Sequence, residues 1–243
     1  MRVCVISDIH GNLHALEAVL EAVDGEAPEV IWCLGDLVGY GPQPNACCAL
    51  VRERADLCLV GNHDLAVLGQ LDLAEFQPDA AASARWTASV LENTHRDFLE
   101  SLEPAARRGD VGLYHASPRD PVWEYVMSAE VAAASILAAD EPLVLVGHSH
   151  IALAFALDDA KLNGGLAPAA TELDLDAAAR WLVNPGSVGQ PRDGDARAAY
   201  LLLDLGNRRA HFRRIPYAVE RTQHEIRERG LPEALAARLE HGL

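Results

Sequence analysis

The sequence predicts an α/β protein whose helices lie outside a packed pair of β-sheets. Three observations predict it. Short apolar runs of strand length recur along all 243 residues. Segments with helical spacing separate the early runs, giving a β-α-β rhythm. Later the runs follow one another with less helix between them, as a second sheet requires.

The elements are justified in chain order. "VCVIS" (3–7), "VIWCL" (30–34) and "LCLV" (57–60) barely alternate, so they read as strands buried on both faces. Between them, 12–24 repeats apolar residues at helical spacing behind Asn12, a good N-cap, and 44–54 is a second helix. Residues 64–82 read as a loop, 83–101 as one helix, "VGLY" (111–114) as a strand and 128–139 as a helix. "LVLV" (143–146) and "IALAFAL" (151–157) are strands, 158–170 is a loop, and "NPGSVG" (184–189) is a turn whose glycines serve backbone conformation. "AAYLLLDL" (198–205) and "AHFRRI" (210–215) are strands, and 217–229 and 231–241 are helices. No repeat or boundary interrupts the chain, so 1–243 is expected to be a single domain.

Composition narrows the function classes. The formal charge of −16 with only short basic clusters argues against a nucleic-acid polymer as partner, a nuclease of long chains included. Five cysteines, none in a CxxC pair, fit a reducing compartment, and a cytoplasmic location is expected. The chain opens on "MRVCVISD" without a charged leader, so no signal peptide is expected, and no apolar run reaches the ~20 residues that span a bilayer.

The polar residues fall where the apolar runs end. Asp8 and His10 follow the first, Asp36 the second, and Asn62, His63 and Asp64 the third. His115 follows "VGLY", and His148 and His150 follow "LVLVG". Carboxyl ends of strands line the ligand crevice of open α/β sheets. Read as extended chain, residues two apart share a side, so His148 and His150 lean together, as do Asp8 and His10. The donors exceed what one ion takes but suit two ions ~3.5–4 Å apart, with Asp36 as the bridging carboxylate. Imidazole, carboxylate and amide donors suit manganese first, with Fe, Zn, Ni or Co as alternatives. If Asn62 is a ligand, its extended neighbour His63 faces the substrate and can act as a general acid, the alternative being a structural hydrogen bond.

In this order, Asp8-x-His10, Gly35-Asp36, Gly61-Asn62-His63-Asp64, His115 and Gly147-His148-Ser149-His150 resemble the calcineurin-like metallophosphoesterase superfamily. The tail "NPGSVGQPRDGD" (184–195) is similar to its small prokaryotic phosphodiesterase branch and extends the likeness to about residue 205. The resemblance implies a four-layer sandwich, two mixed sheets flanked by helices, with a dimetal site at strand C-terminal ends. It implies one divalent ion on Asp8, His10, Asp36 and His150, and a second on Asp36, Asn62, His115 and His148. It makes His63 the catalytic histidine, protonating the alkoxide displaced by a metal-bridging hydroxide. The activity implied is hydrolysis of phosphate esters, with phosphodiesters first. A phosphomonoesterase or nucleotide phosphatase with the same site is the alternative, and a catalytically silent scaffold is a third reading that the complete set of site residues opposes.

Two departures stand out. "GDLVGYGP" lacks the Asp-Arg pair of the protein-phosphatase branch, which opposes phosphoprotein as substrate, and Ala116 replaces a frequent glycine. Around the site, an ordinary surface loop with one packed aromatic is the favoured reading of "SPRDPVWEY", with Arg119 a weaker candidate for a forked phosphate contact. Ser187 is a candidate phosphate contact, and Tyr40 either lines the pocket or caps a loop. Substrate choice is expected to lie in 64–82, 117–128 and 158–170.

Overall fold

The structure is a computed structural model that describes residues 1–159 and 161–243. Its first third contains β1 (Arg2–Ile6), α1 (Leu13–Glu26), β2 (Val30–Cys33), α2 (Pro44–Arg54), β3 (Leu57–Cys58), α3 (Asn62–Val67) and α4 (Pro78–Val90). The middle contains α5 (Asn93–Glu100), β4 (Ala105–Arg108), β5 (Val111–Tyr114), α6 (Ala129–Ala138), β6 (Leu143–Leu145), β7 (Ala152–Asp158) and β8 (Lys161–Leu166). The last part contains β9 (Glu172–Asp174), β10 (Arg180–Pro185), β11 (Ala198–Asp204), β12 (Arg209–Ile215), α7 (Val219–Glu228) and α8 (Glu233–Ala237).

Two mixed sheets result. One runs β3-β2-β1-β11-β12-β9 and the other β4-β5-β6-β10-β7-β8. In the first, β1 pairs parallel with β2 (Val3 opposite Val30) and antiparallel with β11 (Val3 opposite Leu203). In the second, β6 lies parallel to both β5 and β10.

Side-chain alternation builds the layers. Val3 and Val5 of β1 join Trp32, Leu113, Leu145, Leu201 and Phe212 in the core between the sheets. Cys4 and Ile6, on the opposite face, pack with Leu16, Val19 and Leu20 of α1 and with Cys47, Cys48 and Val51 of α2. Val144 and Leu182 of the other sheet pack with Ala132 and Ile136 of α6. The inner strands thus need apolar residues at every position, and the expected four-layer arrangement is observed.

Several expected elements differ. The helix expected over 83–101 is two helices. Leu91 and Glu92 are extended between them, and Asn45 of α2 fixes the break, its amide donating to the Val90 carbonyl (2.8 Å) and its oxygen accepting the Glu92 N–H (2.9 Å). The expected loop 64–82 contains most of α3 and the start of α4, where Pro78 occupies the first turn, as proline tolerates. Within the expected loop 158–170, residue 160 lies outside the described residues, and Lys161–Leu166 is a largely exposed edge strand with too few apolar residues to reveal itself. The short, partly polar strands β4 and β9 escaped for the same reason. β10 is central, yet its apolar core "WLV" runs straight into the Asn-Pro-Gly that reads as a turn.

Candidate metal centre

Four strands end at one place. β1, β2, β5 and β6 deliver Asp8, His10, Asp36, His115, His148 and His150, all 2% exposed or less. Asn62 and His63 come from the first turn of α3. One donor atom from each of Asp8, His10, Asp36 and His150 lies within 4.8 Å of the others, and the same holds for Asp36, His115 and His148. Asp36 belongs to both groups.

Asp8, His10, Asp36, His148 and His150 all take positive φ, between 50° and 62°. The side chains therefore converge through left-handed backbone and not through the strand alternation expected from their spacing. Asp and His tolerate that region better than most residues. Nor is 62–63 extended. The Asp36 Oδ1 accepts the His63 N–H at 2.9 Å, and the Asp64 carboxylate accepts the Gly61 and Val38 N–H groups, so two neighbouring carboxylates start α3. Asp64 is thereby a loop tie, not a donor to the centre. Two glycines permit the approach of these loops. A Cβ on Gly61 would lie 2.1 Å from Asp36 Oδ1, and one on Gly147 would lie 2.1 Å from Ser7 Oγ and 3.0 Å from Asp8 Oδ2.

The imidazoles are oriented by backbone. Nδ1 of His10 faces the Val38 carbonyl (3.1 Å), that of His115 the Leu34 carbonyl (2.9 Å) and that of His150 the Gln190 carbonyl (2.7 Å). Each Nδ1 therefore donates, and each Nε2 presents a lone pair inward. His10 and His150 bring those lone pairs 2.9 Å apart, and His115 Nε2 stands 3.2 Å from Asn62 Oδ1. Asp36 Oδ2 is 3.6 Å from His10 Nε2 and 3.5 Å from His115 Nε2, with no hydrogen-bond donor. Buried acceptors facing acceptors are repulsive unless a cation sits between them. That arrangement, doubled about Asp36, fits two divalent ions.

The titration directions agree. Burial pushes the Asp36 carboxyl well above the usual range, with Asp64 and Asp8 adding repulsion, and burial likewise raises Asp8. Burial holds His10, His148 and His150 well below theirs. The bare cluster thus favours neutral groups, and divalent cations reverse that preference for the carboxylates.

His63 stands apart from the donor groups. Its ring meets His10 edge-on (centroids 4.9 Å apart), Tyr40 (4.4 Å) and Phe76 (5.3 Å). Burial lowers its proton affinity first and the charge of Arg192 second. Tyr40 lines the site. Tyr125, 45% exposed, stacks on His148 with centroids 3.9 Å apart, and Phe76 touches Trp123. Loops 64–82 and 117–128 therefore border the centre through aromatic rings.

Other candidates lie elsewhere. Arg119 is exposed on its loop, its Nη2 3.4 Å from Glu124 Oε1. Ser187 is fully buried; its hydroxyl donates to the Asp8 carbonyl and accepts the Gln190 N–H, a structural tie in place of a phosphate contact. His14 of α1 is buried against Glu225 of α7. Arg192 and Phe76 were missed. The arginine lay in the quoted tail, but only its place beside the centre gives it meaning.

Comparisons with known proteins agree with this geometry. A family model described as a calcineurin-like phosphoesterase superfamily domain matches residues 1–208. The crystal structure of a metallophosphoesterase from Sphaerobacter thermophilus is 43% identical, superposes with a TM-score of 0.91, and is covered over 100% of this chain and 99% of that one. An uncharacterised protein of Methanocaldococcus jannaschii is 38% identical over 247 residues, 98% of this chain and 96% of that protein. A symmetrical bis(5'-nucleosyl)-tetraphosphatase of Edwardsiella ictaluri is 37% identical over 71 residues, 28% of this chain and 25% of that protein.

Proposed function

The chain belongs to the calcineurin-like phosphoesterase superfamily and is a dimetal phosphoester hydrolase, and from that premise we propose that its preferred substrates are small phosphodiesters. The observation that carries the dimetal reading is the unpartnered Asp36 Oδ2 shared by two buried donor sets. Asp8, His10, Asp36 and His150 would hold one ion, and Asp36, Asn62, His115 and His148 the other. Manganese is the proposed native metal, on the nitrogen and oxygen donors present. Divalent cations held there would supply a lowered pKa for water and positive charge for the phosphoryl oxygens.

The protein's own residues do the rest. Carbonyl-bound Nδ1 atoms hold three of the ligand rings in place. His63, beside Tyr40 and Phe76, gives a proton to the departing alkoxide. An anionic phosphoryl group entering the site offsets the burial and the Arg192 charge that otherwise keep this ring neutral. The aromatic border formed by Phe76, Trp123 and Tyr125 suits a ring-bearing ester group. Unpaired thiols at all five cysteines fit a cytoplasmic setting, and no helix among the described residues is long and apolar enough to cross a membrane.

Parallel assays of the metal-loaded protein on a bis-aryl and a mono-aryl phosphate test the preference. Diester hydrolysis with the higher kcat/KM supports it; the reverse order makes the protein a monoesterase. The local similarity to the Edwardsiella tetraphosphatase favours a second reading, a nucleotide polyphosphate, which belongs in the same panel.

A further inference from the structure

The turn after β10 returns to the centre it follows. The His150 carbonyl accepts the Arg192 N–H at 3.1 Å, while His150 Nδ1 donates to the Gln190 carbonyl. Segment 190–192 is thus tied at two points to a residue of the first donor set. The next residue, Asp193, points away: its carboxylate pairs with Arg214 of β12 and accepts the Ala152 N–H. The acid that could have neutralised Arg192 is committed to holding the turn in place.

Arg192 itself lies over the centre. Its Nη2 donates to Gln190 Oε1 (2.8 Å) and to the Tyr40 hydroxyl (3.3 Å), and its Nε faces the same Gln190 oxygen at 3.3 Å. The guanidinium carbon is 5.7 Å from the Tyr40 ring centroid, and that ring touches both His10 and His63. On the other side of the centre, the Tyr125 ring stacks on His148. Arg192 is therefore held by Gln190 and by Tyr40, whose ring borders His10 of the first donor set. Among the described residues, no carboxylate lies within ion-pair distance of it, and no protein acceptor takes the two hydrogens on Nη1 within hydrogen-bond distance. Arg238 also reaches Gln190 Oε1 (3.3 Å), its Nε donating to the Leu243 carbonyl. Two like charges thus share one neutral oxygen in a chain of net charge −16. An arginine fixed by neutral partners, with one edge free, is built for an oxyanion.

We propose that Arg192 binds the phosphoryl group directly, its free Nη1 edge gripping a non-bridging oxygen. The ligand class is a tetrahedral oxyanion, inorganic phosphate or the phosphoryl group of an ester, and the inference rests on the phosphoester reading above. Tyr40 is a positioning residue for the guanidinium.

The test uses metal-loaded wild type, Arg192→Ala and Arg192→Lys, titrated calorimetrically with inorganic phosphate, alongside metal content, thermal melting and kinetics on a bis-aryl phosphate. The expected result is unchanged metal content and melting in both variants, with phosphate affinity about 10- to 100-fold weaker for Arg192→Ala, the range for a lost hydrogen bond to a charged group. Arg192→Lys falls in between, because a point charge replaces the fork. In kinetics, KM rises at least as much as kcat falls. Equal phosphate affinity in all three proteins, or no phosphate binding by the wild type, overturns the proposal. A wild type that binds phosphate but hydrolyses no ester contradicts the functional reading while the titration still decides the role of Arg192.

Discussion

At the C-terminal ends of β1, β2, β5 and β6, the chain buries His115 together with Asp8, His10, Asp36, His148 and His150, the last five on left-handed backbone, with Asp36 Oδ2 and His148 Nε2 left without partners. At the N-terminal ends of the same strands lies a cavity of about 670 Å³, lined by Val30, Trp32, Val111, Leu143 and Trp181 together with the charged Asp56, Arg108, Asp110 and Arg208. One set of strands thus carries a polar end that is poorly satisfied by protein alone and an opposite end whose strand residues Val30, Trp32, Val111 and Leu143 are apolar. The difference teaches where stability and function part company. Left-handed backbone at non-glycine residues costs of order 1–3 kcal/mol per residue and persists only where the surroundings enforce it. Here the sandwich core between the sheets supplies the enforcement.

That contrast can be broken or sharpened by experiment. Chelation should have the largest effect. Removing several kcal/mol of charge stabilisation is about a thousandfold in rate or more. Activity should vanish with the ions and return with Mn²⁺, and the melting temperature should fall because only the folded state binds them. A chelator-insensitive protein would break the contrast outright. His63→Ala comes next: kcat should drop by about 10²–10⁴-fold with metal content unchanged, by elemental analysis and steady-state kinetics. Loss of metal in that variant would move His63 into the donor set. In the proposed assignment Asn62 would serve one ion only, so Asn62→Ala follows. Its affinity for that ion should weaken by no less than the roughly 10–100-fold that losing an outer partner of a ligand costs, read by competition with a metal indicator. The smallest effect on activity should come from the core between the two ends. Leu201→Ala, at a fully buried position between the sheets, should cost about 2–5 kcal/mol in denaturant unfolding yet leave the turnover of each folded molecule unchanged.

How far the sequence revealed this depends on the physical signal each part carries. The inner strands announce themselves because both faces are buried, which forces uninterrupted apolar runs such as "VCVIS" and "LVLV". The candidate donors were legible because each stands directly after such a run. Their local geometry was not. Spacing by two suggested extended chain for Asp8/His10 and His148/His150, whereas positive φ does the aiming. Residues 62–63 seemed extended because nothing local betrays that the distant Asp36 starts a helix there. Edge strands β4 and β8 carry little apolar pattern, and the break between α4 and α5 depends on Asn45, about 45 residues away. Arg192 was invisible for the same reason: "QPRDGD" reads as a polar turn until Asp193 is seen bound to Arg214 and Tyr40 beneath the guanidinium.

Everything at the polar end depends on Asp36 serving two ions at once. Metal-to-protein ratios, measured by elemental analysis after loading with Mn²⁺ and exhaustive dialysis, test that directly. Wild type should retain two ions per chain, and Asp36→Asn, similar in shape but uncharged, should retain fewer than one while still melting cooperatively. Two ions bound by Asp36→Asn as tightly as by wild type, or a single ion in wild type, would contradict it.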